Sequence, residues 1–95
     1  MLVQLSDLRK VTSMLFDHLE SADTNSFEFS EDYYWYISDD QRYDPHIKPS
    51  ELSLGQLTDD WSELIQILNR EKEPLGYAFV WLSAILRRLG EDVVV

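Results

Sequence analysis

The chain has 95 residues and a mass of 11.2 kDa, with 44% apolar and 27% charged residues, which suits a single domain spanning 1–95. It contains no cysteine, so disulfides, thiolate metal sites and cysteine nucleophiles are excluded. A net charge of -10 argues against binding to nucleic acid or to an anionic membrane, and it makes a basic protein the natural partner. No apolar run has the length of a signal peptide or a membrane span, so we expect a soluble, cytoplasmic protein.

The first predicted element is a helix over residues 6–21. Apolar residues recur there at helical spacing, with Leu8, Leu15 and Leu19 on one face. Ser6 is the expected N-cap, and the polar residues 21–25 provide the stop.

A strand is predicted over residues 33–38, where the aromatic run YYWYIS lies between acidic and turn-forming residues. Two neighbours suit it equally, residues 27–29 and residues 52–54, and the pattern leaves the choice open. Residues 39–50 contain Pro45 and Pro49 and little apolar content, so we expect a long surface loop there.

Two further helices are predicted, over residues 58–70 and 74–89. Thr58 is the expected cap of the first of these, and Pro74 suits the first turn of the second. The last helix is apolar around most of its circumference, so we expect neighbours to pack against it on more than one side until Arg87, Arg88 and Gly90 end it. The predicted fold class is therefore α+β, with three helices packed on a small antiparallel sheet centred on residues 33–38.

The negative charge is concentrated in the middle of the chain. Residues 17–60 contain twelve acidic residues against Arg42 and Lys48, whereas the remaining residues are neutral overall. The same segment holds seven of the twelve aromatic residues, which is not typical of a disordered acidic stretch. Alternation places Tyr33 and Trp35 on one strand face and Tyr34 and Tyr36 on the other, and either face could be the exposed one.

Enzyme chemistry is not indicated by the sequence. It has no glycine-rich phosphate loop, serine elbow or histidine-paired nucleophile, so we expect neither catalysis nor a cofactor. The loop from Asp39 to His46 offers carboxylate and imidazole groups, but it lacks the glycine and the spacing of a calcium loop. We therefore expect no metal site, and we keep a small enzyme or metal-binding regulator as a weaker hypothesis.

Two short strings carry a resemblance to known proteins. The run Tyr33, Tyr34, Trp35, x, Ile37 and the run LGxLxDDW over residues 54–61 resemble small uncharacterised acidic bacterial proteins with a YYWxI strand and an LGxLxDDW helix start. That resemblance implies a bacterial source and a shared fold. In size and charge the chain is also similar to bacterial immunity proteins, which neutralise basic toxins.

These observations predict a non-enzymatic acidic module that binds a basic protein, with a toxin as the concrete partner. Aromatic rings would supply buried area and carboxylates would pair with lysine or arginine. The expected partner-binding residues are Tyr34, Tyr36, Asp39, Asp40, Tyr43 and Asp44. The alternative is a self-associating homodimer built on the aromatic strand and the last helix, with Val80 and Trp81 at the interface.

Overall fold

A computed structural model describes residues 1–36 and 53–92. Its elements, in chain order, are α1 (Leu5–Ser21), β1 (Tyr33–Tyr36), β2 (Ser53–Gln56), α2 (Leu57–Leu68) and α3 (Ala78–Asp92). Three helices with a two-stranded antiparallel sheet confirm the predicted α+β class. Within the described residues, no helix combines the length and the apolarity needed to cross a membrane.

The sheet settles which segment pairs with the aromatic strand. β1 and β2 are antiparallel, and Tyr34 is opposite Gly55 while Trp35 is opposite Leu54. Residues 53–56 are therefore the neighbour, and the competing segment 27–29 forms no strand. Instead, the rings of Phe27 and Phe29 stack with their centroids 6.5 Å apart.

Helix α1 forms where the periodicity predicts it, but its start differs. It begins at Leu5, its N-cap is Gln4, and no side chain caps it, so Ser6 as the N-cap was wrong. Its C-terminus is closed by two backbone bonds, from Thr24 N–H to Leu19 C=O at 3.1 Å and from Asp23 N–H to Glu20 C=O at 3.0 Å, and Asp23 adopts a left-handed φ of 60°. This is the double hydrogen-bond arrangement that satisfies the last carbonyls of many helices.

Helix α2 ends in the same way, two residues before the predicted end. The N–H of Glu71 donates to Gln66 C=O at 2.8 Å, and Arg70 N–H donates to Ile67 C=O at 3.1 Å. Arg70 itself has a left-handed φ of 61°, which takes the chain out of the helix.

Helix α3 is displaced toward the C-terminus relative to its prediction. Tight i→i−3 bonds precede it, among them Ala78 N–H to Leu75 C=O at 3.0 Å, so Pro74 lies outside the helix and not in its first turn. The helix also continues through Gly90 to Asp92, contrary to the expected stop. Ion pairs from Arg87 and Arg88 to Glu91 span this last turn and support it.

Contacts between elements are concentrated in two places, where α2 packs on α3 and where β1 pairs with β2. Lys72, in the connection between them, forms an ion pair with Glu63 and lies 5.1 Å from the ring centroid of Trp81. Arg88 joins α3 to the sheet by donating to the carbonyl of Tyr33 at 3.3 Å. Burial is nevertheless shallow: Leu57 is the one buried hydrophobic residue among those described. α2 packs on α3 and Arg88 bonds it to the sheet, but no α3 residue is buried, so its expected packing by neighbours is shallow in the described part of the chain.

The left-handed conformation of Arg70 gives a stability prediction. A non-glycine residue there costs about 1 kcal/mol, so Arg70→Gly should raise the free energy of unfolding by roughly that amount. Urea denaturation followed by circular dichroism measures it. Arg70→Ala is the matched control, because it removes the same side chain and keeps the Cβ; equal stability of the two variants would contradict the prediction.

Candidate binding surface

The two faces of the β1–β2 ribbon are unequal. On one face Tyr34 packs over its cross-strand partner Gly55. The other face presents Tyr33, Trp35 and Leu54, which are 55%, 66% and 55% exposed. Trp35 and Leu54 are direct cross-strand partners, so their side chains are neighbours. We call these three residues the aromatic face.

Tyr34 holds the opposite face of the ribbon against α2. Its hydroxyl donates to Oδ2 of Asp60 at 2.5 Å, the short distance typical of a hydrogen bond to a carboxylate. Asp60 is only 8% exposed, so this bond satisfies a carboxylate that water barely reaches. The ring passes so close to Gly55 that a Cβ there would lie 2.3 Å from Cζ of Tyr34. A larger residue at position 55 would therefore force the Tyr34 ring to move from this position.

Asp32, the residue before β1, caps helix α2 from a distance in sequence. Its Oδ1 accepts the Thr58 N–H at 2.7 Å and the Thr58 hydroxyl at 2.8 Å, and its Oδ2 accepts Nε2 of Gln56 at 2.6 Å. Its backbone carbonyl also accepts the Leu57 N–H at 2.7 Å. Thr58 as the N-cap was therefore wrong: α2 begins one residue earlier, and Thr58 is a donor to the capping carboxylate. We call these four hydrogen bonds the Asp32 clamp.

The two carboxylates have pKa values shifted in opposite directions. Desolvation acts to raise the pKa of Asp32, but the hydrogen bonds from Gln56 and Thr58 outweigh it and the pKa lies below its ordinary value. Burial raises the pKa of Asp60, and the charges of Asp59 and Asp32 add to this, against the opposing effect of the Tyr34 hydrogen bond. Asp32, Asp59 and Asp60 therefore interact electrostatically at the start of α2, beside the ribbon.

The structure describes only part of the predicted binding surface. The Tyr34 side chain is half-buried against Gly55 and Asp60, which gives it an internal role; partner contact by Tyr34 stays a prediction. Tyr36 belongs to β1 and pairs with Ser53, but its side chain is not described. The other predicted residues lie outside the described residues: Asp39, Asp40, Tyr43 and Asp44.

Sequence reasoning missed the aromatic face and the Asp32 clamp. The alternation of side chains along a strand places Tyr33 and Trp35 on the face opposite Tyr34. This alternation alone does not say which of the two faces a helix covers. For Asp32 no local signal exists, because its partners are 24 to 26 residues away along the chain.

Metal binding gains no support from the described residues. Among them, no group of three or more histidine, aspartate or glutamate side chains is arranged to hold an ion. The loop from Asp39 to His46, which carried the metal hypothesis, lies outside that part of the chain. Asp32 and Asp60 are already engaged by protein donors.

Comparison with known proteins yields no match among protein-family models, curated proteins or solved structures.

The close approach of Tyr34 to Gly55 predicts that Gly55→Ala is destabilising. The added methyl group must displace the ring that donates to Asp60, and overpacking of this kind costs about 1–3 kcal/mol. Chemical denaturation measures the loss. Gly76→Ala is the matched control, since no heavy atom described lies within 4 Å of a Cβ built there, and it should change stability little. Equal stability of the two variants would show that the ring does not depend on Gly55.

The Asp32 clamp predicts a pH-dependent loss on replacing Asp32 by asparagine. A carboxylate whose pKa is lowered on folding stabilises the fold above its ordinary pKa of 3.8, and this contribution disappears as pH falls through the folded-state value. Asp32→Asn should lower the melting temperature at pH 7, because the neutral amide loses the charge-assisted hydrogen bonds from Gln56 and Thr58. The difference from wild type should shrink below pH 4.

Thermal melts of both proteins between pH 7 and pH 3 test this, with Glu31→Gln as the control for removal of a neighbouring negative charge. A difference that stays constant over this range would mean that ionised Asp32 does not cap α2.

Proposed function

We propose that this protein is a non-enzymatic, acidic binding module that docks onto a basic protein through the aromatic face of its β1–β2 ribbon. The concrete form of the proposal is a bacterial cytoplasmic immunity protein that neutralises a basic toxin. One observation carries it: Tyr33, Trp35 and Leu54 lie together on one strand face, and each is more than half exposed. Tyrosine and tryptophan are among the residues that contribute most binding energy at protein interfaces.

Rigidity of the ribbon supports the proposal. The Asp32 clamp joins the start of β1 to the end of β2 and to α2, and the Tyr34–Asp60 bond holds the opposite face. A surface that is ordered before binding loses less conformational entropy on docking, so more of its contact energy appears as affinity. Two exposed rings on a short ribbon would otherwise be weak anchors.

Charge supports a basic partner. Asp32, Asp59 and Asp60 interact electrostatically at the junction of β2 and α2. They belong to the segment 17–60, which contains twelve acidic residues and only two basic ones. Such a field accelerates encounter with a positively charged protein and favours it over other partners. Asp32 and Asp60 accept hydrogen bonds inside the protein, so their contribution to binding is the negative electrostatic field. Direct ion pairs with the partner are left to other carboxylates.

The proposal changes the aromatic part of the predicted surface and keeps the charged part. Tyr33 and Trp35 replace Tyr34 as the anchors, because the hydroxyl of Tyr34 is committed to Asp60. Direct pairing with lysine or arginine stays assigned to Asp39, Asp40 and Asp44, and the contacts of Tyr36 and Tyr43 stay predictions.

The experiment compares capture of partners by wild type and by Trp35→Ala. Both proteins, tagged, are incubated with bacterial lysate at low salt, eluted with a salt gradient and analysed by mass spectrometry. A basic protein that wild type retains and Trp35→Ala loses is the expected result, with the affinity of the purified pair reduced at least about tenfold by the substitution. For an immunity protein, co-expression of wild type should protect cells from that partner and Trp35→Ala should not.

The control is Phe79→Ala, which removes an equally exposed ring from α3 and should leave capture unchanged. Circular dichroism establishes that each variant is folded. Equal retention of every basic protein by wild type and Trp35→Ala would show that the aromatic face is not the docking surface.

A further inference from the structure

We propose that Arg88 is a positioning residue of the aromatic face: it holds β1 against α3, so that Tyr33 and Trp35 are ordered before a partner docks. The role in docking rests on the proposed function, whereas the hold on β1 does not. Nη2 of Arg88 donates to the backbone carbonyl of Tyr33 at 3.3 Å, across 55 positions of the chain. Because Tyr33 belongs to the aromatic face, this bond acts directly on the proposed docking surface.

The carbonyl of Tyr33 lies at the outer edge of the ribbon. The Leu57 N–H bonds to the Asp32 carbonyl, so these two residues form a hydrogen-bonded pair of the antiparallel ladder. Such pairs alternate with non-bonded pairs along the strands, and the next bonded pair joins Tyr34 to Gly55. The backbone carbonyl of Tyr33, which lies between these pairs, therefore points away from β2. Helix α3 donates to it from that side.

A ribbon of two short strands depends on support from helices. Two isolated strands are marginally stable in water, and packing against a helix is one way in which they become stable. The Asp32 clamp and the Tyr34–Asp60 bond both tie the ribbon to the start of α2. Arg88 belongs to α3, so its bond adds a second helix to the support of β1. With β1 held from both helices, the aromatic face loses less conformational freedom on docking.

Burial distinguishes Arg88 from its neighbour Arg87. The side chain of Arg88 is only 17% exposed, whereas that of Arg87 is 85% exposed. Both form an ion pair with Glu91, so charge pairing alone does not account for the difference. Arg88 directs Nη1 toward Glu91 and Nη2 toward the carbonyl of Tyr33. The planar guanidinium carries its donors in fixed directions, which lets one side chain serve both acceptors.

The charge of Arg88 is compatible with a basic partner. An unbalanced positive group beside the aromatic face would repel such a partner. Oε2 of Glu91 lies 3.8 Å from Nη1 of Arg88, and its Oε1 lies 3.3 Å from Nε of Arg87. Asp92 follows Glu91 in the sequence, so two acidic residues balance the two basic ones at the end of α3. Arg88 therefore holds β1 without adding net positive charge to this part of the surface.

Amide hydrogen exchange of Arg88→Met and Arg87→Met, measured by NMR, tests whether Arg88 holds β1. Methionine keeps an unbranched side chain and removes the donors. Each substitution removes one positive charge and one ion pair with Glu91, and only Arg88→Met removes the bond to Tyr33. Arg88→Met should lower the protection of the β1 and β2 amides at least about tenfold while the amides of α2 change little. Equal protection in the two variants would overturn the proposal, as would an equal loss in α2.

Affinity for the protein captured through Trp35 tests the consequence for docking. Arg88→Met should weaken this affinity at least about threefold relative to Arg87→Met, although it leaves every residue of the aromatic face in place. A loosened β1 with unchanged affinity would overturn the positioning role. If Trp35→Ala loses no protein from capture, the docking function fails. The exchange measurement needs no partner and still decides whether Arg88 holds β1, so the two failures are distinguishable.

Discussion

The carboxylate of Asp32 is the interaction on which the rest of the sheet and α2 depends. It accepts bonds from the last residue of β2 and from the first turn of α2, while its own backbone leads directly into β1. The first turn of a helix has unpaired N–H groups and a partial positive charge, so an ionised aspartate is well suited to this position. The cap comes from the residue just before β1. One side chain therefore links the start of β1, the end of β2 and the beginning of α2.

The orientation of the aromatic residues follows from this anchorage. With β1 held at Asp32 and antiparallel to β2, strand alternation turns Tyr34 toward Asp60 and leaves Tyr33 and Trp35 on the opposite side. Asp32 and Asp60 are chemically identical and have opposite pKa shifts, because donors surround the first and burial dominates at the second. The acidic residues of the chain therefore include two carboxylates, those of Asp32 and Asp60, that hold the fold together.

Two surfaces remain apolar and exposed in the described part of the chain, and their chemistry differs. The aromatic face is small and lies on a ribbon that the Asp32 clamp joins to α2, beside interacting carboxylates. The other surface is the exposed apolar part of α1, where the large side chains between Leu5 and Phe16 stay 41% to 65% exposed. A chain of 95 residues has a high ratio of surface to volume, so apolar side chains stay exposed that a larger domain would bury.

The sequence by itself determined the helices, the aromatic strand and the α+β class, because these depend on periodicities that neighbouring residues establish within a few turns or pleats. It also determined the acidity of residues 17–60 and the apolar stripe of α1. Only the tertiary structure decided the strand partner, the exposed aromatic face and the cap of α2. The physical reason is distance along the chain: the Tyr34–Asp60 and Asp32–Thr58 bonds each join residues 26 positions apart, and no local pattern encodes them. Helix ends shifted for a related reason, since ion pairs and backbone bonds in the last turns outweighed the residue preferences that predicted where α2 and α3 stop.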